Sequence, residues 1–225
     1  MSLDTPWQIE QTWGSHQAVL KAVLKVLKPQ TAIECGSGYF STPLLLEYVQ
    51  NLITIEHNQS WANKIQKDHP VNSKHTWIVQ SFPNVKNWTS IEEVKPAHRK
   101  LLKILYEKLA KDLSPCDFLF MDTFRAARVP ATKQLLSKAN MLLLHDVEGP
   151  SYDYYQFNEI QEILKGWFRY EHRPDNIRIN KKHMVPWTAL YTRERIDLEK
   201  VNEEVIIESK RLWNEPIIMK EIHGA

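Results

Sequence analysis

The sequence predicts an α/β fold: a single doubly wound, mainly parallel sheet of about seven strands with helices on both faces, the last strand pair antiparallel, plus N-terminal and C-terminal helices. Three observations point to it. Short apolar runs alternate with segments of helical period along the whole chain, and alternating β and α elements call for a parallel sheet. The runs "CDFLFMD" and "NMLLLHD" are almost continuously apolar, as strands are when helices cover both faces. Glu34, Glu56, Asp122 and Asp146 each close one such run, and ligands of doubly wound sheets bind beyond the carboxyl ends of the strands.

The elements follow in order. Ser15 is placed to cap a helix whose Val19, Leu20, Val23, Leu24 and Leu27 share one face and which Pro29 stops. "TAIE" reads as the first strand, followed by a Gly turn and a helix through "STPLLLEYVQ". "NLITIEH" is a second strand, "NQSWANKIQKDH" a helix and "HTWIVQS" a third strand. Pro96 opens a helix with Leu101, Leu105 and Leu109 on one face, before the strand "CDFLFMD" and the helix "RVPATKQLLSKA". "NMLLLHD" is the fifth strand, and a helix is expected over residues 153–166. "WFRYEHR" and "VPWTALYTR" form the closing pair, and Leu198, Val201, Val205 and Leu212 stripe a terminal helix that Pro216 breaks.

At 225 residues the chain suits one domain, with an N-terminal arm at 1–14, a core at 15–192 and a helical extension at 193–225. A net charge of +2 does not by itself argue for nucleic acid or an anionic membrane. No signal-like N-terminus and no apolar run long enough to span a bilayer are present, and the location expected is cytoplasmic. Cys35 and Cys116 are the only cysteines and should sit at opposite ends of neighbouring strands, too far apart for a disulfide. Cys35 is expected to be small packing material rather than a nucleophile.

In "TAIECGSGYFST", Gly36 and Gly38 allow close approach to the backbone behind an acid, Glu34. Gly36-Ser37-Gly38-Tyr39-Phe40-Ser41, with Glu56 beyond, leaves a dinucleotide open because Ser41 is a small substitute for the third glycine. Glu34 argues against it. A pyrophosphate beside this carboxylate would be repelled by roughly 4 kcal/mol at an effective dielectric of 20 and a separation of ~4 Å. A ligand bearing an ammonium and a sulfonium reverses that sign.

"AIECGSGYFST", followed by "LITIEHN" and "CDFLFMD", resembles the class I S-adenosylmethionine-dependent methyltransferases over roughly residues 15–192. The resemblance implies that the loop of Cys35, Gly36, Ser37 and Gly38 passes under the methionine part of the cofactor. It implies that Glu34 holds the amino end, Glu56 the ribose hydroxyls and His57 the border of the adenine, with Gln80 or Ser81 at the adenine edge. The layout looks closest to small-molecule O-methyltransferases. In the catechol type, two Asp and an Asn hold a divalent cation such as Mg or Mn. Asp122 and Asp146 match the two Asp positions, but Val147 stands where Asn belongs, which leaves the metal open unless His145 replaces that ligand.

His145 and Asp146, beside Asp122, form the candidate catalytic set, able to serve as a general base or to bind a cation. No Asn/Asp-Pro-Pro-Tyr/Phe sequence follows the fourth strand, no Cys stands where attack on a pyrimidine would need one, and no zinc-type Cys/His spacing occurs. O-methylation of a small-molecule acceptor remains. Trp7, Trp13, Tyr152, Tyr154, Tyr155, Phe157 and Trp187 are candidates to line its mouth. Lys95, His98, Arg99, Lys100, Lys103, Lys108 and Lys111 read as a solvated helix face, so nucleic acid is not the expected partner. "RINKKH" reads as a surface loop, no membrane partner is expected, and the terminal helix packs on its own domain or makes a homodimer contact. An NAD-binding oxidoreductase and a non-catalytic binding protein of the same fold are the alternatives.

Overall fold

The computed structural model describes residues 14–70, 72–81, 96–148, 155–173, 178–180, 183–184 and 186–214. Its strands are β1 (Thr31–Cys35), β2 (Asn51–Glu56), β3 (His75–Val79), β4 (Cys116–Met121), β5 (Ala139–His145), β6 (Phe168–His172), β7 (Arg178–Asn180), β8 (His183–Met184) and β9 (Thr188–Thr192). The helices are α1 (Gln17–Leu27), α2 (Thr42–Tyr48), α3 (Gln59–Asp68), α4 (Pro96–Asp112), α5 (Arg125–Leu135) and α6 (Leu198–Asn214).

Seven strands form one sheet in the order β3-β2-β1-β4-β5-β9-β6. The pairs from β3 through β5 are parallel, and β9 runs antiparallel to both β5 and β6. The expected sheet and its closing antiparallel pair are therefore present. β1 and β4 lie at its centre and are buried on both faces, and most of their residues are apolar.

Side chains alternate between two cores. Ala32, Leu52, Phe118, Phe120 and Leu143 meet α1, α2 and α6 on one face. Ile33, Cys35, Leu119, Met121 and Leu142 meet α4 and α5 on the other. The terminal helix packs on its own domain: Val201 and Val205 are buried against α1, and Lys25 reaches Glu204 at 2.6 Å and Glu208 at 2.5 Å. Among the described residues no helix is long and apolar enough to cross a membrane.

Four expectations need correction. Ser15 does not cap α1; His16 holds the cap position, and the Ser15 hydroxyl is drawn instead to a buried imidazole. α4 buries Leu102 and Tyr106, so its inner face is turned from the predicted Leu101–Leu105–Leu109 line. The helix expected at 153–166 is replaced by two 3-10 turns, Phe157–Ile160 and Glu162–Leu164; Gln156, at φ +60, is left-handed and cannot begin an α-helix. Residues 149–154 lie outside the described residues. "RINKKH" contributes to a short antiparallel pair, β7 and β8, rather than a plain loop.

Candidate functional site

The carboxyl ends of β2, β1, β4 and β5 lie side by side, and three groups of residues meet there. The first is the loop after β1. Gly36 has φ +88, and a Cβ on it would lie 2.4 Å from the Asp122 carbonyl oxygen. Only glycine fits, and what it admits is the end of the neighbouring strand β4. Gly38 differs: a Cβ there would meet nothing closer than 3.4 Å. Each amide of this loop donates within the protein: Gly36 to the Ile55 carbonyl at 2.9 Å, Ser37 to Glu56 Oε2 at 2.9 Å, and Gly38 to Thr42 Oγ1 at 3.1 Å. Trp61 of α3 steadies the loop from outside, its indole nitrogen donating to the Ser37 carbonyl at 2.8 Å.

Glu34 does not face the crevice. β1 runs one residue further than "TAIE", so Glu34 is an interior strand position on the face of Ala32, beneath α2. It has no exposed surface, and the hydroxyls of Ser41, Thr42 and Thr54 donate to it at 2.6, 2.9 and 2.8 Å. Burial pushes its carboxyl up to about 8 against these hydroxyls. A group so placed is no counter-charge for a ligand ammonium. The case against a pyrophosphate survives on other ground: a phosphate cradle needs backbone N–H groups aimed at the ligand, and the three loop amides are already engaged.

Glu56 ends β2 and is nearly buried. Ser37 N and Oγ donate to its Oε2 at 2.9 Å each, and the amides of His57 and Asn58 donate to Oε1 at 2.8 and 2.9 Å. Burial raises its carboxyl, but His57 and these donors outweigh burial and hold it below the ordinary range. The His57 ring packs against Phe124 at 4.4 Å. Gln80 follows β3 and donates its amide to the Glu56 carbonyl at 2.8 Å; Ser81 beside it is exposed. Cys35 and Cys116 are free and buried, their thiols pushed up by burial, Cys116 to about 12, so neither is a nucleophile.

The third group lies after β4 and β5. Asp122, His145 and Asp146 come together as expected, around Arg128 of α5. Its guanidinium reaches Asp122 Oδ1 at 2.6 Å and Asp146 Oδ2 at 2.7 Å, and donates to the Thr123 and His145 carbonyls at 2.7 and 2.9 Å. Tyr155 donates to Asp146 at 3.0 Å and lies under the guanidinium, 4.4 Å away. Asp146 takes the left-handed conformation at φ +60, a strained position for a non-glycine residue that these partners hold. His145 Nδ1 is 3.3 Å from Asp122 and 3.6 Å from Asp146, while its Nε2 meets Ser15 Oγ at 2.8 Å. Burial lowers the His145 ring, but the two carboxylates overcome it and the ring ends above its ordinary value. Burial also opposes the charged forms of Asp122 and Asp146, yet His145 and Arg128 hold both carboxyls low.

Sequence reasoning missed Arg128 and His16. Arg128 sits among Ala126, Ala127, Val129 and Ala131, surroundings that an arginine tolerates only with partners, and that was the signal. His16 gave none, because α1 and β5 meet only in the fold. The two-Asp, one-Asn cation set does not fit these residues: Arg128 fills the space between Asp122 and Asp146, and Val147 is buried. Of the expected mouth residues, Phe157 is core, Tyr155 joins the cluster, and Trp187 is covered by Arg173 at 4.4 Å. Trp7, Trp13, Tyr152 and Tyr154 lie outside the described residues.

No protein-family model matches the sequence, and no curated protein matches it. Solved structures do match the fold. An rRNA methylase from Streptococcus thermophilus is 9% identical, with 87% of this chain and 100% of that chain covered at a TM-score of 0.51. The N-methyltransferase NodS from Bradyrhizobium japonicum WM9 is 9% identical, with 85% and 99% covered at 0.53. Human methyltransferase-like protein 13, solved in complex with SAH, is 10% identical, with 96% and 100% covered at 0.50. At these identities the likeness is one of fold: the chain has the Rossmann-like fold of the class I methyltransferases.

Proposed function

We propose that the chain is an S-adenosylmethionine-dependent methyltransferase acting on an oxygen of a small, anionic acceptor. The observation that carries this is the loop Gly36–Gly38 closed over Glu56, in a sheet whose antiparallel β9 lies between β5 and β6. A dinucleotide sheet would continue in parallel at that place, and the engaged loop amides disfavour NAD. When bound, S-adenosylmethionine supplies an electrophilic methyl group.

The residues fit such a guest. A Cβ at Gly38 would make only ordinary contacts, with Ser41 Oγ at 3.4 Å and Phe40 N at 3.9 Å, so the fold itself does not demand glycine there. The Ser37 hydroxyl donates to Glu56 where a ribose hydroxyl would. His57, its ring tilted against Phe124, and Gln80, beside Glu56, border the place for the base. At the other end of the crevice, an acceptor hydroxyl brought to His145 meets an imidazole whose basicity, against its burial, Asp122 and Asp146 raise, the group best suited here to draw off its proton.

The acceptor's charge follows from a groove of about 430 Å³ between α4 and α5 that reaches Tyr155. Arg99, Lys100, Lys103, Arg125 and Lys133 line it against one acid, Glu159. Glu159 pairs with Lys133 at 2.7 Å and Arg99 at 3.5 Å, which leaves an excess of positive charge. The same groove favours a second reading, methylation of RNA, the activity named for the Streptococcus thermophilus protein.

The test is methyl transfer from labelled S-adenosylmethionine into a cell extract separated into small-molecule, RNA and protein fractions. Label in acidic small molecules is expected. Label confined to RNA supports the second reading, and no label anywhere contradicts enzymatic function.

A further inference from the structure

His16, His145 and Asp122 present ligand atoms that all lie within 4.8 Å of one another. His16 is buried at the start of α1, with 3% of its surface exposed, and neither of its ring nitrogens has a hydrogen-bond partner among the described residues. A buried imidazole so left is costly. His145 Nδ1 is likewise without a hydrogen bond, although it points at Asp122. The His16 and His145 rings lie nearly perpendicular with centroids 4.8 Å apart, and His16 Nδ1 lies 3.6 Å from Asp122 Oδ2.

We propose that His16, His145 and Asp122 bind a divalent transition-metal ion of the zinc type. A tetrahedral zinc with bonds of about 2.1 Å separates its ligand atoms by about 3.4 Å. The separations from Asp122 Oδ2 are 3.3 Å to His145 Nδ1 and 3.6 Å to His16 Nδ1. Ligand chemistry selects the metal, since two imidazoles and one carboxylate suit zinc and its neighbours, whereas magnesium and calcium favour oxygen sets.

The supporting shell is in place. Metal-bound histidines donate their other nitrogen to a partner, and His145 Nε2 meets Ser15 Oγ at 2.8 Å. Metal-bound carboxylates are held by a second group, and Arg128 holds Asp122 Oδ1 at 2.6 Å. Asp122 and Asp146 set two negative charges against the one positive charge of Arg128, and a bound ion takes the place of any proton on His145. Three protein ligands leave a fourth position, and the 20% exposed Asp122 side chain connects the site to solvent. An acceptor hydroxyl or water at that position would have its pKa lowered by the ion. Metal binding is independent of whether the chain transfers methyl groups, and zinc titration reads the ion alone.

The experiment is calorimetric titration of the untagged, metal-stripped full chain with zinc chloride, with magnesium chloride as control. The expected result is one zinc per chain at micromolar affinity or tighter, weakened at least ~10-fold in His16→Ala and Asp122→Asn and about 10-fold in Ser15→Ala. No zinc uptake by the wild type, or equal uptake by His16→Ala and Asp122→Asn, overturns the site. Because Asp122→Asn also loosens Arg128, the zinc-edge X-ray absorption spectrum of the wild type gives a reading without variants. Two imidazoles with oxygen support the site; sulfur ligation or fewer than two imidazoles overturns it.

Discussion

The amide and the hydroxyl of Ser37 both donate to one oxygen of Glu56, each at 2.9 Å. The other oxygen takes the amides of His57 and Asn58. Glu56 is therefore the fastening of the first loop to the second strand as well as the candidate ribose ligand. Removing it strands the buried Ser37 amide, at about 1–3 kcal/mol, and frees the part-buried amides of His57 and Asn58. Glu56→Ala is expected to lower stability by about 2–4 kcal/mol in urea denaturation. A loss below about 0.5 kcal/mol would show that the fastening is dispensable.

The two glycines of the loop should separate fold from function. Gly36→Ala combines a positive φ with a backbone clash at 2.4 Å. It is expected to cost about 2–3 kcal/mol or more. Gly38→Ala should change the denaturation midpoint little, because its Cβ meets only ordinary contacts.

Glu34 should leave a signature in the pH dependence of stability. Burial raises its carboxyl to about 8 from the ordinary 4.5. Between those values the folded chain holds a proton that the unfolded chain has released. Stability therefore falls as pH rises across that window, by up to about 1.4 kcal/mol per pH unit. Glu34→Gln removes this contribution, so the slope of stability against pH should flatten relative to the wild type. Parallel slopes for the two chains would contradict the buried, protonated carboxyl.

The sheet was legible because its central strands are short and apolar and three of them, β2, β4 and β5, run into an acid, a pattern that local sequence carries. Glu34 was misread by one residue of strand length. The strand continues through Cys35, so Glu34 keeps the side-chain alternation and shares the face of Ala32 beneath α2 instead of closing the strand at the mouth. The 153–166 segment has helix-forming composition, yet the left-handed Gln156 sets its path, a choice imposed by tertiary packing. Asp122, His145 and Asp146 could be grouped because strand ends converge in any doubly wound sheet. Ser15 and His16 could not, since the Ser15–His145 contact joins residues 130 positions apart.

Arg128 is the keystone of the acidic cluster. Arg128→Ala leaves Asp122 and Asp146 without their 2.6 and 2.7 Å partner. Breaking a buried pair from one side costs about 3–5 kcal/mol. Arg128→Lys should recover only part of that, because an ammonium cannot reach both carboxylates and two carbonyls in one plane. Thermal denaturation ranks the three chains, and equal stability of Ala and Lys variants would show that the planar fork is not what matters.

The central claim is tested most directly by calorimetric titration of the wild-type chain with S-adenosylhomocysteine, beside Gly38→Ala. The wild type should bind one equivalent at micromolar affinity. Gly38→Ala, folded and nearly as stable, should bind at least ~10-fold more weakly, because the proposed site uses the bare backbone of this loop. No binding by the wild type, or undiminished binding by Gly38→Ala, would contradict a methyl-donor site at this loop.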